Sequence, residues 1–157
     1  MQLVFTLSGH RYALDTAWAG EVIPLGMLTR LPGAPAGVSG LLNLRGEIVA
    51  AIDLDGLLGR PRQPEPAGAG AARFPWAVLV RRERVEAAFL ADSVEAVEED
   101  APLESTLVAL EPGLASLASG TARYAGRIAI VLDVPKVLAR CASGGVWQPA
   151  AEQGVDT

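Results

Sequence analysis

The chain is short of almost everything from which a catalytic centre is built. Its 157 residues include one histidine, His10, and one cysteine, Cys141. A lone cysteine excludes an internal disulfide framework and fits a reducing compartment. One His and one Cys cannot supply the ligand spacing of a zinc-type site. His10 follows Gly9 in an expected tight turn, where a solvated imidazole is the plain reading. Cys141 is expected just beyond the last helix, with no predicted His or helix N-terminus to lower its pKa, so an inert thiol is expected. Glycine is plentiful, yet no phosphate-binding loop and no strand-borne GxGxxG occurs; Gly68-Ala69-Gly70 lies in a Pro- and Ala-rich stretch. Four aspartates, Asp15, Asp53, Asp92 and Asp133, are left for carboxylate chemistry. Each ends an apolar strand pattern, and capping of the following turn accounts for all four. The expectation is a protein that is not an enzyme, with no cofactor and no metal.

Positive charge is also scarce. A formal net charge of −5 argues against a duplex-binding surface, which needs clustered Lys and Arg. Arg81, Arg82 and Arg84 surround Glu83 and read as a solvated hairpin turn. No apolar run reaches the ~18 residues of a membrane span, and Met1-Gln2-Leu3 leads straight into a strand pattern without a charged leader. A cytoplasmic protein is expected, with no nucleic-acid partner and no direct membrane insertion. Aromatics make up only 5% of the chain, so the core must be built of Leu, Val, Ile and Ala.

Turn formers are abundant: seventeen Gly and eleven Pro imply many short strands rather than a helical bundle. The length suits one compact unit, or two small subdomains sharing a core. Leu3, Phe5 and Leu7 alternate with Val4 and Thr6, Ser8-Gly9 turns, and His10–Asp15 returns. Glu21-Val22-Ile23 reads as a short strand stopped by Pro24. Leu31–Gly37 holds two prolines and two glycines and is a loop. Next comes the central stretch Gly40–Leu54, GLLNLRGEIVAAIDL, a hairpin with Arg45-Gly46 at its bend and Asp53 capping a helical turn over Leu54–Leu58. Residues 59–73 are low in apolar bulk and read as a flexible internal loop. A second hairpin joins Trp76–Val80 to Val85–Ala91, followed by Ser93–Val97. Leu107, Leu110, Leu114 and Leu117 form a helical stripe that Pro112-Gly113 splits, and the stripe is read as core. Ala122–Tyr124 and Arg127–Leu132 make the last hairpin, Val134–Arg140 a terminal helix, and 143–157 a disordered tail.

An internal repeat organises these pieces. Gly46–Asp53 and Gly126–Asp133 each contain a turn Gly, an apolar strand and an Asp, 80 positions apart, with Leu58 and Leu138 in step. Tyr12–Asp15 pairs loosely with Phe89–Asp92. Halves this small cannot each bury a full core, so two small barrels sharing one are expected.

The order Asn43-Leu44-Arg45-Gly46, then an apolar strand, then Ile52-Asp53-Leu54, resembles the signature of CheW-like domains, the coupling proteins of bacterial chemosensory arrays. The likeness extends from about residue 2 to 140 through Phe5-Thr6-Leu7, Tyr12–Asp15, Glu21-Val22, Leu31–Pro35, Gly40, Ala91–Val94 and Gly126–Leu138. It implies a mainly β fold of two SH3-like five-stranded β-barrels packed together with exchanged strands, with short helices at connections and at the C-terminus. The CheW-like domain would occupy 1–142 as two interleaved subdomains. By the same resemblance the chain would be a non-catalytic adaptor between two partners, a chemoreceptor cytoplasmic tip and the regulatory domain of a CheA-type histidine kinase. Receptor contact would fall on Glu21, Val22, Gly40 and Arg45 in a groove between the barrels, and kinase contact near Leu28, Thr29, Arg30 and Leu31. From the residues alone Arg45 is equally able to bond Asp53 or Glu21 as a structural group. The rival reading is a small-barrel module that binds a small ligand or peptide and has lost kinase coupling.

Overall fold

A computed structural model describes residues 1–35, 37–58, 74–104 and 112–143. The strands among them are β1 (Gln2–Leu7), β2 (His10–Asp15), β3 (Ala19–Pro24), β4 (Val38–Leu44), β5 (Glu47–Ile52), β6 (Trp76–Arg81), β7 (Val85–Ala91), β8 (Ser93–Glu98), β9 (Ala118–Tyr124) and β10 (Arg127–Leu132). Short helices are α1 (Leu54–Leu57), α2 (Pro112–Ala115) and α3 (Val134–Ser143). The expected flexible loop at 59–73, Leu107 and Leu110 of the apolar stripe, and the tail beyond Ser143 lie outside the described residues.

Two five-stranded sheets result, in the orders β8-β1-β2-β10-β9 and β3-β6-β7-β5-β4. The chain ends build the first, the terminal sheet; the centre of the chain builds the second, the middle sheet. β3 follows β2 closely yet crosses to pair with β6, and β8 follows β7 yet crosses to pair with β1. This is the strand exchange that the resemblance implies. Each sheet contains one parallel pair, β2 with β10 and β5 with β7, so both are mixed. Among the described residues neither ladder closes on itself into a complete barrel, and one bridge spans each gap instead: Thr29, after β3, pairs with Leu41 of β4, and Glu104, after β8, pairs with Thr121 of β9.

The repeat is exact in backbone detail. Arg45-Gly46 and Ala125-Gly126 occupy the two turn positions with φ of 51° and 90°, and 53° and 76°. The Asp53 N–H donates to Gly37 O at 2.7 Å, as Asp133 N–H does to Leu117 O at 2.9 Å. Asp53 Oδ1 then accepts the Asp55 N–H at 3.0 Å, and Asp133 Oδ1 the Lys136 N–H at 3.2 Å, so both cap the helix that follows. Asp15 Oδ1 accepts from Ala17 N–H and Asp92 Oδ2 from Ser8 N–H. All four strand-end aspartates are therefore spent on backbone amides.

One apolar core joins the sheets: Leu3, Phe5, Leu7, Tyr12 and Leu14 of the terminal sheet pack with Ile52, Val78, Leu79, Phe89 and Leu90 of the middle one. Fully burying a side chain of this size contributes about 1.5–3 kcal/mol, so exchange plus a common core ties the halves together. Behind the terminal sheet lies a second, small core of Val4, Ala13, Ala122, Tyr124, Ala129 and Val131. Several boundaries differ from the sequence reading. β9 starts at Ala118, because Ala118 and Gly120 extend the ladder to Leu132. Pro112 opens α2, since proline fits a first helical turn. α3 runs on to Ser143, which places Cys141 inside the helix and fully buried. His10 is half-buried at the start of β2, its ring centroid 6.3 Å from that of Tyr12. Among the described residues no helix is long and apolar enough to cross a membrane.

Candidate docking surface

The β4–β5 turn projects Arg45. Its left-handed φ is uncommon for a residue with a Cβ, and the turn is held by Asn43 Oδ1 accepting the Gly46 N–H at 2.9 Å. From that tip Arg45 Nη2 donates to Glu21 Oε1 at 3.2 Å, the two side chains being 79% and 41% exposed. A pair this exposed contributes about 0–1 kcal/mol. Of the two structural partners open to Arg45, the structure selects Glu21; Asp53 is buried and caps α1. Glu21 sits beside a bulge in β3, next to half-buried Val22. On the strands that meet at the turn, Leu41 and Leu44 are half-buried against the core and Ile48 is 48% exposed.

Gly40 has a different setting. It is buried in β4, and a Cβ there would stand 2.7 Å from Thr29 O and 3.3 Å from Leu28 Cβ. The absent side chain lets the segment after β3 lie directly on β4, where Thr29 and Leu41 exchange two backbone hydrogen bonds of 2.8 Å. Leu28 is half-buried against the core, while Thr29, Arg30 and Leu31 are exposed. Glu21 and Arg45 therefore meet, with Val22 beside them. Gly40 belongs instead with Leu28 and Thr29, and through it the two sets expected from the resemblance share one piece of structure.

A family model described as the CheW-like domain matches residues 2–142. The chain belongs to the CheW-like domain family. Among curated proteins it is similar to Chemotaxis protein CheW of Thermotoga maritima, 25% identical over 136 residues that cover 87% of this chain and 85% of that protein. Among solved structures it is similar to the scaffolding protein TtCheW of Thermoanaerobacter tengcongensis, with a TM-score of 0.66 and 21% identity over 85% of this chain and 83% of that one. The second likeness is one of fold.

This CheW-like domain carries two features that the sequence reading missed. Met27 is 83% exposed and Trp76 39% exposed, and Trp76 pairs with Pro24 at the end of β3. The signal was a Trp placed at a strand's first residue, straight after Pro75. The second feature is a clasp in the terminal sheet. Glu95 on β8 receives Arg11 Nε at 2.8 Å and Arg127 Nη2 at 2.6 Å, while Arg11 Nη1 donates to Tyr124 O at 3.0 Å and Arg127 O at 2.8 Å. The Arg11 hydrogen bond, reinforced by the charges of Arg11 and Arg127, holds the Glu95 carboxyl below the usual range. The strand pairings relate β3 to β8 by 75 positions, so Glu21 corresponds in register to Ala96, and Glu95 to Gly20, each of the latter two lying at its strand's bulge. Each exchanged strand nonetheless carries a glutamate bonded to an arginine at or beside a hairpin turn of the sheet it joins.

Proposed function

We propose that this CheW-like chain is a non-catalytic chemosensory scaffold that couples chemoreceptor cytoplasmic tips to the regulatory domain of a CheA-type histidine kinase in the cytoplasm. The observation that carries the proposal is the exposed Glu21–Arg45 pair on the β4–β5 turn, backed by Val22 and Ile48. The names of its relatives, a chemotaxis protein and a scaffolding protein, support it. An amphipathic helix of the receptor lays its apolar side against this surface, and Arg45 exchanges Glu21 for an acceptor on the helix. The pair given up is worth at most about 1 kcal/mol in water, whereas a desolvated charge-assisted bond contributes about 1.5–3 kcal/mol, so the exchange favours docking and fixes its register. Kinase contact falls on the exposed residues Thr29, Arg30 and Leu31, which Leu28 anchors to the core.

The test is Arg45→Glu, assayed by pull-down against a receptor-tip fragment and a CheA regulatory domain, with thermal melting in parallel. Receptor binding is expected to fall while kinase binding and Tm stay near wild type. A large drop in Tm, or undiminished receptor binding, would assign Arg45 to the fold alone.

A further inference from the structure

The β6–β7 turn carries three arginines that the chain leaves without a counter-charge. Arg11, Arg45, Arg123, Arg127 and Lys136 each face a carboxylate. Arg81, Arg82 and Arg84 form no ion pair among the described residues, and Glu83 is the one acid within the turn. All four turn residues are exposed, as a solvated turn requires, but two of the arginines are also packed. The Arg81 N–H donates to Trp18 O at 2.7 Å, and the Arg81 stem lies across Gly20, where an added Cβ would overlap Arg81 Cγ and Cδ. The Arg82 guanidinium stands over the Trp18 ring, 5.1 Å from its centroid. Trp18 is itself half-buried against the core, so it fixes where that guanidinium sits.

Guanidiniums pair with carboxylates through two parallel N–H bonds, and arginine clusters read acidic motifs in this way. Part of the rotamer freedom that binding costs is already spent at Arg81 and Arg82. The charge balance decides the kind of anion. A duplex or a lipid surface is long enough to meet the rest of a chain of net charge −5, which repels it. A short acidic segment meets only charges within the screening length, ~8 Å in physiological salt, and this turn sets three cations against one acid. A small free anion needs enclosing walls, which an exposed hairpin turn lacks. We propose that the β6–β7 turn docks an acidic peptide segment of a partner protein, a contact separate from Arg45 and from Thr29–Leu31.

The test is fluorescence anisotropy of a labelled hexaglutamate peptide with the full chain, against a hexaglutamine peptide, phosphatidylglycerol vesicles and a single-stranded oligonucleotide. Saturable binding of hexaglutamate alone is expected, weakened by salt, with ¹⁵N shifts confined to Gly20, the turn from Arg81 to Arg84 and the Trp18 indole N–H. Arg82→Gln combined with Arg84→Gln should weaken it about tenfold, since two contacts between unit charges in screened water are lost. Arg84→Gln alone, which leaves Arg82 on its ring, should weaken it about threefold. Arg123→Gln removes an exposed cation elsewhere and should change nothing. Absence of hexaglutamate binding, an equal loss with Arg123→Gln, no loss in either turn variant, or tighter binding to the vesicles or the oligonucleotide would each overturn the proposal. No receptor or kinase takes part, so these outcomes stand apart from those of the Arg45 test.

Discussion

Replacing Arg11 by Met tests the claim that the two arginine clasps differ in kind. The Arg11 side chain is 10% exposed and satisfies three acceptors: Glu95 Oε2 and the carbonyls of Tyr124 and Arg127. Hydrogen bonds to a charged group contribute about 1.5–3 kcal/mol. Here Glu95 keeps Arg127, and its side chain is 23% exposed, so water can replace part of what is lost. A net loss of about 2–3 kcal/mol at pH 7 follows, or roughly 4–12 °C in Tm for a domain of this size. Arg45→Met, which removes an exposed pair, should cost at most about 1 kcal/mol. The pH dependence is a second check. The Glu95 carboxyl is lowered in the folded chain, chiefly by the Arg11 hydrogen bond. Its stabilisation is therefore complete above the unfolded value, about 4.3, and is lost as pH falls through the folded one. The gap between wild type and Arg11→Met should narrow as pH falls below about 4, leaving the part due to the two carbonyls. Urea unfolding of both variants at pH 7 and down to pH 3 measures this. Equal losses for Arg11→Met and Arg45→Met, or a gap unaffected by acid, would refute the reasoning.

Two further perturbations probe the seam and the helix. Gly40→Ala drives a Cβ against Thr29 O, a backbone atom that no rotamer change relieves; a loss of about 1–3 kcal/mol is expected, with faster amide hydrogen exchange at Thr29 and Leu41, and native-like protection at both would count against the steric account. Burial pushes the Cys141 thiol up to about 11, so at pH 8 it should ignore a disulfide reagent in the native chain and react once urea unfolds it. Rapid native labelling would contradict the burial.

Local chemistry made most strands legible. The Ser8-Gly9 and Arg45-Gly46 bends, the alternation of Leu3, Phe5 and Leu7, and the aspartates at strand ends each state their structure within a few residues. Partner choice is a long-range matter and was not legible in that way: nothing within Ala19–Pro24 or Ser93–Glu98 says that each leaves its neighbour for the other sheet, and the resemblance supplied the exchange. Gly40 shows the same limit. Neighbouring Val38–Leu44 positions do not demand glycine; the demand comes from Thr29, eleven residues earlier. Glu95 escaped notice because an acidic residue on an edge strand normally serves only to keep that edge soluble, and its two arginines arrive from β2 and β10.

Each exchanged strand carries an acid–arginine clasp at a position not equivalent in register to the other, and their surroundings separate their uses. Glu95 is held by two guanidiniums, one of them buried, and displacing it would strand Arg11 among carbonyls. No partner can draw on that clasp without unsettling β2, β8 and the β9–β10 turn together. Glu21 is held by one arginine that is mostly in water. On the docking proposal, an incoming acceptor can replace Glu21 and leave every backbone hydrogen bond of the middle sheet in place. Contact is therefore expected at the β4–β5 turn and not at its counterpart, although the two share fold and register. Moving the cation makes this testable: Arg45→Ala combined with Ala125→Arg puts a guanidinium at the equivalent tip, and receptor-tip binding should not return. Recovery of binding in that double variant would mean that any exposed hairpin arginine suffices and that the asymmetry of the clasps has no part in recognition.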